Sequence, residues 1–204
     1  MSRKNRRKDA PDGLLLASGS DWHNNACLNY MPDHGTAYTE GYRRAADILI
    51  RHIDESGRDQ DFLVYPVVFL YRHHIELLIK QIIALALGLA DEPEKYAYKK
   101  DDHNLNSLWS VAQRLVMEVD DSYRPSDFRP VKGVVKELHL ADQRATDFRY
   151  ARKNDGTRSL EGVRYINTRL FGEKMGAASD CLDGIDNSLR CLLERDADMR
   201  ADIG

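Results

Sequence analysis

Residues 66–89 read PVVFLYRHHIELLIKQIIALALGL and are the most informative part of the sequence for the fold. Its apolar side chains recur at alternating spacings of three and four residues, the repeat that places side chains on one face of an α-helix. The seam consists of Val68, Tyr71, Ile75, Leu78, Ile82, Leu85 and Leu89. It lasts about six turns, so we predict a long core helix. Pro66 would lie near the first turn, where a missing amide costs little.

This stretch is also the most apolar part of the chain, and its polar residues favour a buried helix over a membrane span. A spanning helix needs about 20 mostly apolar residues. Residues 62–90 are interrupted by Arg72, His73, His74, Glu76, Lys80 and Gln81. Near the N-terminus, the apolar run Leu14-Leu15-Leu16 is too short for a secretory signal. We therefore expect a cytoplasmic protein with no membrane segment.

The bulk composition is typical of one globular domain. A chain of 204 residues buries a sufficient core without disulfides or metal. The formal net charge of -3 disfavours a protein that coats nucleic acid, because that role needs a basic domain; any nucleic-acid binding must use a local basic patch. Three cysteines lie far apart and outside any C-x-x-C pattern, which favours a reducing compartment.

Four further seams with the helical repeat predict a bundle. They span residues 36–55, 105–119, 131–148 and 167–195. No segment holds the alternating pattern of a strand. Five helices with two or three short loops predict an all-α fold, an up-and-down bundle of about five helices. We assign the chain to a flexible basic tail (1–12), an irregular N-terminal segment (13–35), the bundle (36–195) and a C-terminal tail (196–204). The basic tail is typical either of an arm that binds nucleic acid or of a solubilising terminus.

Several common catalytic motifs are absent from the sequence. There is no glycine-rich phosphate loop, no nucleophile elbow and no His-Glu-x-x-His pair. His73 and Glu76 share a helix face, but di-iron bundles use the reverse order, Glu-x-x-His, in two copies with further Glu ligands. We therefore expect no metal and no cofactor.

Three local patterns of polar residues carry the functional hypothesis. They are Arg72, Glu76 and Lys80 in the core helix, His103-Asn104-Leu105 at the start of the next helix, and Phe148-Arg149-Tyr150 with Arg152 where the fourth helix is predicted to end. The first three residues lie one turn apart and share a helix face. We expect the bundle to bring the three patterns together.

These residue types suit acid–base chemistry on RNA. An imidazole titrates near neutral pH and suits proton transfer at a ribose 2′-hydroxyl, so His103 or His73 would be the titrating group and Glu76 would orient it. Arginine donates two parallel hydrogen bonds to phosphate, and a tyrosine ring stacks on a base. The predicted catalytic residues are Arg72, His73, Glu76, His103 and Arg149. The predicted substrate-binding residues are Lys80, Tyr150 and Arg152.

In this order on a helical background, the motifs resemble those of the HEPN superfamily (higher eukaryotes and prokaryotes nucleotide-binding), most closely the group found beside minimal nucleotidyltransferases. That group carries an acidic residue and a lysine in a long helix, matched here by Glu76 and Lys80. It has a His-Asp-Leu step where this chain has His103-Asn104-Leu105, and Arg-Tyr-Pro where this chain has Arg149-Tyr150-Ala151. The resemblance covers residues 36–195.

The resemblance implies a protein that binds nucleotide or RNA, extending to metal-independent RNA cleavage in stress response, toxin–antitoxin or phage-defence systems. It also implies a partner protein such as a nucleotidyltransferase or an antitoxin, and we separately expect a homodimer. One departure bears on cleavage. The superfamily's ribonucleases carry an arginine, four to six residues and then a histidine, and none of the seven histidines here has that spacing.

Three other interpretations stay open, one of which is a bundle that holds a small ligand or a metal between the second and fourth helices. A non-catalytic helical dimer or adaptor that docks a partner protein fits the missing Arg-to-His spacing, and Gly172-x-x-x-Gly176 would let two helices approach closely. The polar residues also have simple structural explanations. These are helix ion pairs for Arg72, Glu76 and Lys80, a helix-start contact for His103, and attraction to a helix C-terminus for Arg149 and Arg152.

Overall fold

The computed structural model describes residues 15–28, 34–96, 98–99 and 101–203, so the predicted basic tail (1–12) lies outside the described residues. These residues contain five α-helices, two single-turn 3-10 helices and no β-strand, which confirms the predicted all-α class. The α-helices are α1 (His34–Ser56), α2 (Gln60–Leu89), α3 (Leu105–Val119), α4 (Arg129–Ala141) and α5 (Thr168–Ile203).

The chain divides into two units, residues 1–34 and residues 35–204. In the first, the described part is irregular apart from the 3-10 turn Trp22–Asn24. The side chain of Asn25 closes this segment, because it accepts from the Gly19 amide at 2.7 Å and donates to the Gly19 carbonyl at 2.9 Å. The second unit holds the bundle and all the predicted site residues.

Four helices of the second unit pack in a ring around one core. α2 lies against α3 and α5, and α4 closes the ring by packing against the same two helices. The predicted seam of α2 is buried over most of its length, and Ile75, Ile79 and Ile82 are fully inaccessible to solvent. Each such side chain contributes about 1.5–3 kcal/mol through its burial. The helical repeat of the sequence therefore identified the central element correctly.

α1 lies against α2 and α5 and is fastened by polar contacts. The fully buried His74 of α2 has Nδ1 3.0 Å from the Thr39 carbonyl of α1 and Nε2 2.9 Å from Ser179 Oγ of α5. Arg43 of α1 forms an ion pair with Asp183 of α5. Thr39 is an interior residue of α1, where its hydroxyl donates to the Thr36 carbonyl at 3.1 Å.

α2 meets the length and composition criteria for a membrane-crossing helix, as the core helices of soluble proteins also do. Half of its apolar window is buried against the rest of the protein. It also carries the charged pair Arg72 and Glu76 inside the protein. These features agree with its position at the centre of the bundle.

Three helix ends differ from the sequence expectation. α2 begins at Gln60, so Pro66 lies inside the helix and not in its first turn. α4 ends at Ala141 and does not reach Phe148, because the Asp142 carboxylate accepts from the Thr146 amide at 2.9 Å and the chain turns away. Residues 196–203, which the sequence analysis placed in a tail, continue α5.

The early end of α4 changes the setting of two predicted site residues. Arg149 and Arg152 lie in the long loop of residues 142–167, well beyond the last turn of α4. The C-terminal dipole of a helix acts only over its last turn. Attraction to the end of α4 therefore does not explain these two arginines.

Candidate active site

Two buried charges on α2 form the base of the site. Arg72 and Glu76 lie one turn apart, and each side chain is only 2% exposed. Arg72 Nη1 donates to Glu76 Oε2 over 2.8 Å. Moving two charges out of water costs several kcal/mol per ion, so a buried pair needs further hydrogen bonds to satisfy it. An exposed helix ion pair is therefore not an adequate description of Arg72 and Glu76.

The Glu76 carboxylate also contacts Lys80 and His103. Lys80 Nζ lies 2.9 Å and His103 Nδ1 lies 2.7 Å from Glu76 Oε1. Burial raises the pKa of Glu76, but hydrogen bonds from Lys80, Arg72 and His103 outweigh burial and hold the pKa below its ordinary value. Glu76 is therefore ionised at neutral pH and is held by three cationic or imidazole donors.

His103 is fixed at two points and remains open on one side. Its carbonyl accepts from Arg72 Nη2 at 2.8 Å, and its Nδ1 faces Glu76. A carboxylate only accepts, so Nδ1 carries a hydrogen and Nε2 is the nitrogen left without a protein partner. The side chain is 60% exposed, and among the described residues Nε2 has no hydrogen-bond partner. The cap of α3 is Asn104, whose side chain accepts from the Ser107 amide at 3.1 Å.

His73 is held by aromatic rings beside this group. Its ring meets the edge of Tyr42 with centroids 4.5 Å apart and stacks on Phe69 with centroids 5.9 Å apart. Burial is the main cause that lowers the pKa of His73, and the nearby charges of Arg72 and Lys80 lower it further, against the opposite effect of Glu76. His73 is therefore neutral at pH 7 and belongs to the same electrostatic cluster.

Arg149 joins the cluster through Phe69. Its guanidinium carbon lies 5.4 Å from the centre of the Phe69 ring and 5.2 Å from that of Tyr150. Arg149 Nη2 also lies 3.2 Å from the Tyr150 hydroxyl. Within the described residues this guanidinium has no carboxylate partner. Cation–π contact thus holds Arg149 in place and leaves its charge available to an anion.

Arg152 stands apart from the buried cluster. It belongs to the loop after Tyr150, where its Nη1 donates to the Gly156 carbonyl at 2.8 Å. It lines a groove together with Arg149 and Tyr150. The predicted residues therefore form three groups: the network of Arg72, Glu76, Lys80 and His103; the aromatic cluster that holds His73 and Arg149; and the groove of Tyr150 and Arg152.

Sequence reasoning missed the aromatic residues that connect the first two groups. In the sequence, Tyr42 only continues the apolar seam of α1 and Phe69 only belongs to the apolar run of α2, yet the two rings fix that of His73. One signal was present for Phe69, since it lies one turn before His73 on the same helix. No comparable signal links Tyr42 to His73, because the two residues lie on different helices.

The chain matches no protein-family model, no curated protein and no solved structure. Among the residues that the structure describes, no group of three or more His, Cys, Asp or Glu side chains is arranged to hold a metal ion. The molecule is thus defined as an all-α bundle with a buried ion network that ends in an exposed imidazole.

Proposed function

We propose that this protein binds RNA or a nucleotide and that it cleaves RNA by metal-independent acid–base catalysis at His103. The carrying observation is the 2.7 Å contact of His103 Nδ1 with the buried Glu76 carboxylate beneath an exposed imidazole ring. A carboxylate bound to Nδ1–H fixes the tautomer and stabilises the charge that the ring gains when Nε2 takes a proton, as in the hydrolase triads.

The proposed reaction is an attack within the RNA chain. His103 Nε2 takes the proton of a ribose 2′-hydroxyl, and the 2′-oxygen forms a bond to the adjacent phosphorus. The bond from phosphorus to the 5′-oxygen breaks, and that oxygen takes a proton from solvent. The products are a 2′,3′-cyclic phosphate and a 5′-hydroxyl end. This reaction balances without an oxidant or a cofactor.

The remaining residues support binding and charge. Arg149 would neutralise the reacting phosphate, because its guanidinium is held by rings without a carboxylate. Tyr150 would stack on a base, and Lys80 would add positive charge beside Glu76. Arg72 would position the site, since it bonds both the Glu76 carboxylate and the carbonyl of His103.

The biological setting of this proposal comes from the resemblance to the HEPN superfamily. The resemblance suggests a cytoplasmic protein of a stress, toxin–antitoxin or phage-defence system, with a nucleotidyltransferase or an antitoxin as partner. The all-α bundle and the order of Glu76, His103 and Arg149 along the chain are compatible with it. The buried network supplies an imidazole without the usual Arg-to-His spacing.

The test uses the full-length protein and a labelled single-stranded RNA in the presence of a chelator. His103→Ala should lower the cleavage rate by about 10²–10⁴-fold, the typical contribution of a general base. His52→Ala is the matched control, because His52 Nε2 also contacts a carboxylate, Asp59 Oδ2 at 3.0 Å, on the exposed surface. Equal losses in the two variants, or products without a cyclic phosphate, would contradict the proposal.

An apolar surface favours a second candidate function, a helical dimer or adaptor that docks a partner protein. A groove between α2, α4 and α5 is lined by Phe148 and Met175, and its rim carries Tyr165, which is 94% exposed. Exposed apolar patches often mark protein interfaces. Gly172 no longer supports this candidate, because it serves contact within the chain: a Cβ there would lie 3.1 Å from Ile50.

Light scattering, which measures the oligomeric state in solution, tests this second candidate function. Tyr165→Asp should shift a dimer to a monomer if the groove is the dimer interface, and Tyr38→Asp, at another exposed tyrosine, should not. A monomeric wild-type protein that cleaves RNA would reject the dimer and leave the first proposal intact. A dimer without cleavage would favour the second candidate.

A further inference from the structure

A short hairpin stands out in the loop between α4 and α5. Residues 151–159 pair with each other: the Lys153 amide donates to the Thr157 carbonyl at 2.9 Å, and the Ser159 amide donates to the Ala151 carbonyl at 3.1 Å. These two bonds form a narrow antiparallel ladder. The hairpin therefore has a defined register, and the side chains of opposite residues have fixed neighbours.

The register places two arginines directly opposite each other. Arg152 and Arg158 are the bridged pair, and the two backbone bonds lie on either side of them. This is the non-hydrogen-bonded position, where opposite Cα atoms are only about 4.5 Å apart and the side chains are closest. Like charges at such a position are destabilising. An anion between the two guanidinium groups would turn this repulsion into attraction.

Neither arginine is neutralised by the protein. In the part of the chain that is described, neither forms an ion pair, and the hydrogen bond of the Arg152 guanidinium goes to the neutral carbonyl of Gly156. The acidic residue that lines the same groove, Asp147, is already paired with Lys153 at 3.2 Å. The groove thus presents positive charge without a compensating carboxylate.

The backbone that carries the hairpin is held in an unfavourable conformation. Leu160, directly after the hairpin, has φ of 56°, and Ala145, earlier in the loop, has φ of 59°. A residue other than glycine in this region costs about 1–3 kcal/mol and persists only where the surroundings impose it, most often at binding sites.

Aromatic side chains complete the groove. Tyr150 is 55% exposed and Tyr65 of α2 is 49% exposed, and both line the groove with Arg149 and the two hairpin arginines. Exposed rings between cationic groups are the arrangement that binds single strands, because unpaired bases stack on the rings while phosphates meet the arginines. Bases inside a duplex are not accessible to such rings.

We infer that this groove binds single-stranded RNA, with one phosphate between Arg152 and Arg158 and one base on Tyr150. The inference rests on the proposed function for its link to the reaction centre. Arg149 lines the groove and also contacts Phe69, whose ring stacks on His73. The phosphate at Arg152 and Arg158 is therefore an anchoring phosphate next to the reacting one, and Arg158 determines binding without touching the reacting atoms.

The experiment measures fluorescence anisotropy of a labelled single-stranded oligoribonucleotide of about ten nucleotides, methylated at every ribose 2′-oxygen so that the protein cannot cleave it, with the full-length protein. Arg158→Glu should weaken binding about ten-fold or more and make its dependence on salt shallower by roughly 0.7 for each phosphate that the protein no longer neutralises. Arg51→Glu on α1, also exposed, is the matched change of charge and should alter both quantities little. Arg158→Lys should retain part of the affinity.

Each other outcome overturns a stated part of the inference. Equal losses of affinity for Arg158→Glu and Arg51→Glu, or no loss for either, would mean that the groove is not the site. Equal affinity for the duplex of the same sequence would reject recognition of a single strand. Equal affinity for a nucleoside triphosphate would assign the groove to mononucleotides instead.

Failure of the inference is separable from failure of the proposed function. The two properties are measured separately, cleavage of unmodified RNA for His103→Ala and binding of the 2′-methylated oligonucleotide for Arg158→Glu. If His103→Ala still cleaves while Arg158→Glu loses binding, the catalytic role of His103 is rejected and the groove is retained as the RNA-binding site. If His103→Ala stops cleavage while Arg158→Glu binds normally, the groove fails and the catalytic proposal stands.

Discussion

α2 carries two polar networks inside the protein, and they differ in charge and in openness. The network of His74 joins α1, α2 and α5 through a neutral ring, the Thr39 carbonyl and the Ser179 hydroxyl, and it is closed to solvent. The network of Glu76 is charged and ends in an exposed imidazole at His103. His74 and Glu76 are only two residues apart on α2. Comparing them therefore distinguishes a network that holds helices together from a network that we propose to act on a substrate.

The tautomer of His74 shows that its network is structural. A carbonyl only accepts, so Nδ1 donates to Thr39 and Nε2 accepts from the Ser179 hydroxyl. Both nitrogens are used, and neither remains for a substrate. At His103 one nitrogen is used and one is open. We therefore expect stability to depend on both networks and the proposed activity to depend on the second.

The largest expected effect comes from removing Glu76. Glu76→Ala leaves the buried Arg72 charge uncompensated, and breaking a buried ion pair in this way costs about 3–5 kcal/mol of unfolding free energy. Chemical denaturation measures the loss. The control is Glu173→Ala, which breaks the exposed ion pair with Arg169 at the same spacing and the same 2.8 Å distance. That change should cost no more than about 0.5 kcal/mol. Similar losses in the two variants would show that the Arg72–Glu76 pair has no special role.

A smaller effect is expected at His74. His74→Ala leaves the buried Ser179 hydroxyl without its imidazole partner, at about 1–3 kcal/mol, while the Thr39 carbonyl keeps its bond within α1. The unfolding free energy should therefore fall by about 1–3 kcal/mol by the same measurement. The cleavage rate of the protein that remains folded should stay near that of the wild type. A specific loss of catalysis in folded His74→Ala would contradict the division into a structural and a catalytic network.

The smallest expected effect is a change of the unfolding free energy with pH, which follows from the buried imidazole of His74. Burial lowers the pKa of His74 from its ordinary value of 6.5, and the charge of Arg43 adds to this, while the Thr39 carbonyl acts in the opposite direction. Just below pH 6.5, His74 therefore binds a proton in the unfolded chain but stays neutral in the folded protein. Stability is therefore complete above pH 6.5 and falls as the pH decreases below it, by at most about 1.4 kcal/mol per pH unit for one group.

Denaturation at a series of pH values from neutral to mildly acidic checks this sign. His74→Gln should reduce the slope, and His73 should account for part of what remains, because burial lowers its pKa as well. The lowered pKa of Glu76 adds a loss of stability only at still lower pH, below its ordinary value of 4.5. Stability that rises on acidification toward pH 5 would contradict a neutral His74 in the folded protein.

The parts of the fold that follow from the sequence are those with a long, regular repeat. The seam of α2 predicts its burial correctly because the same spacing recurs over many turns. The same repeat wrongly extends α4 to Phe148, since that apolar residue continues the pattern and is in fact buried. The sequence pattern cannot detect that Asp142 closes the helix and that Ala145 turns the chain, because these are local backbone choices.

The candidate site likewise has a part that could be predicted from the sequence and a part that could not. Arg72, Glu76 and Lys80 could be grouped from their one-turn spacing on a single helix. The contact of His103 with Glu76 joins distant parts of the chain, and only its approximate place could be predicted from the motif order. Arg158 was not singled out at all, because its opposition to Arg152 depends on the register of the hairpin.

The most direct test of the central claim is chemical rescue of His103→Ala with added imidazole in the RNA cleavage assay. The buried Glu76 and Arg72 remain in this variant, so a free imidazole that enters the vacated space should be oriented and should take the 2′-hydroxyl proton. Added imidazole should restore cleavage to a saturable level in His103→Ala and should not restore it in Arg149→Ala. A His103→Ala variant that stays inactive at every imidazole concentration, beside an active wild type, would contradict the role of His103 as the base.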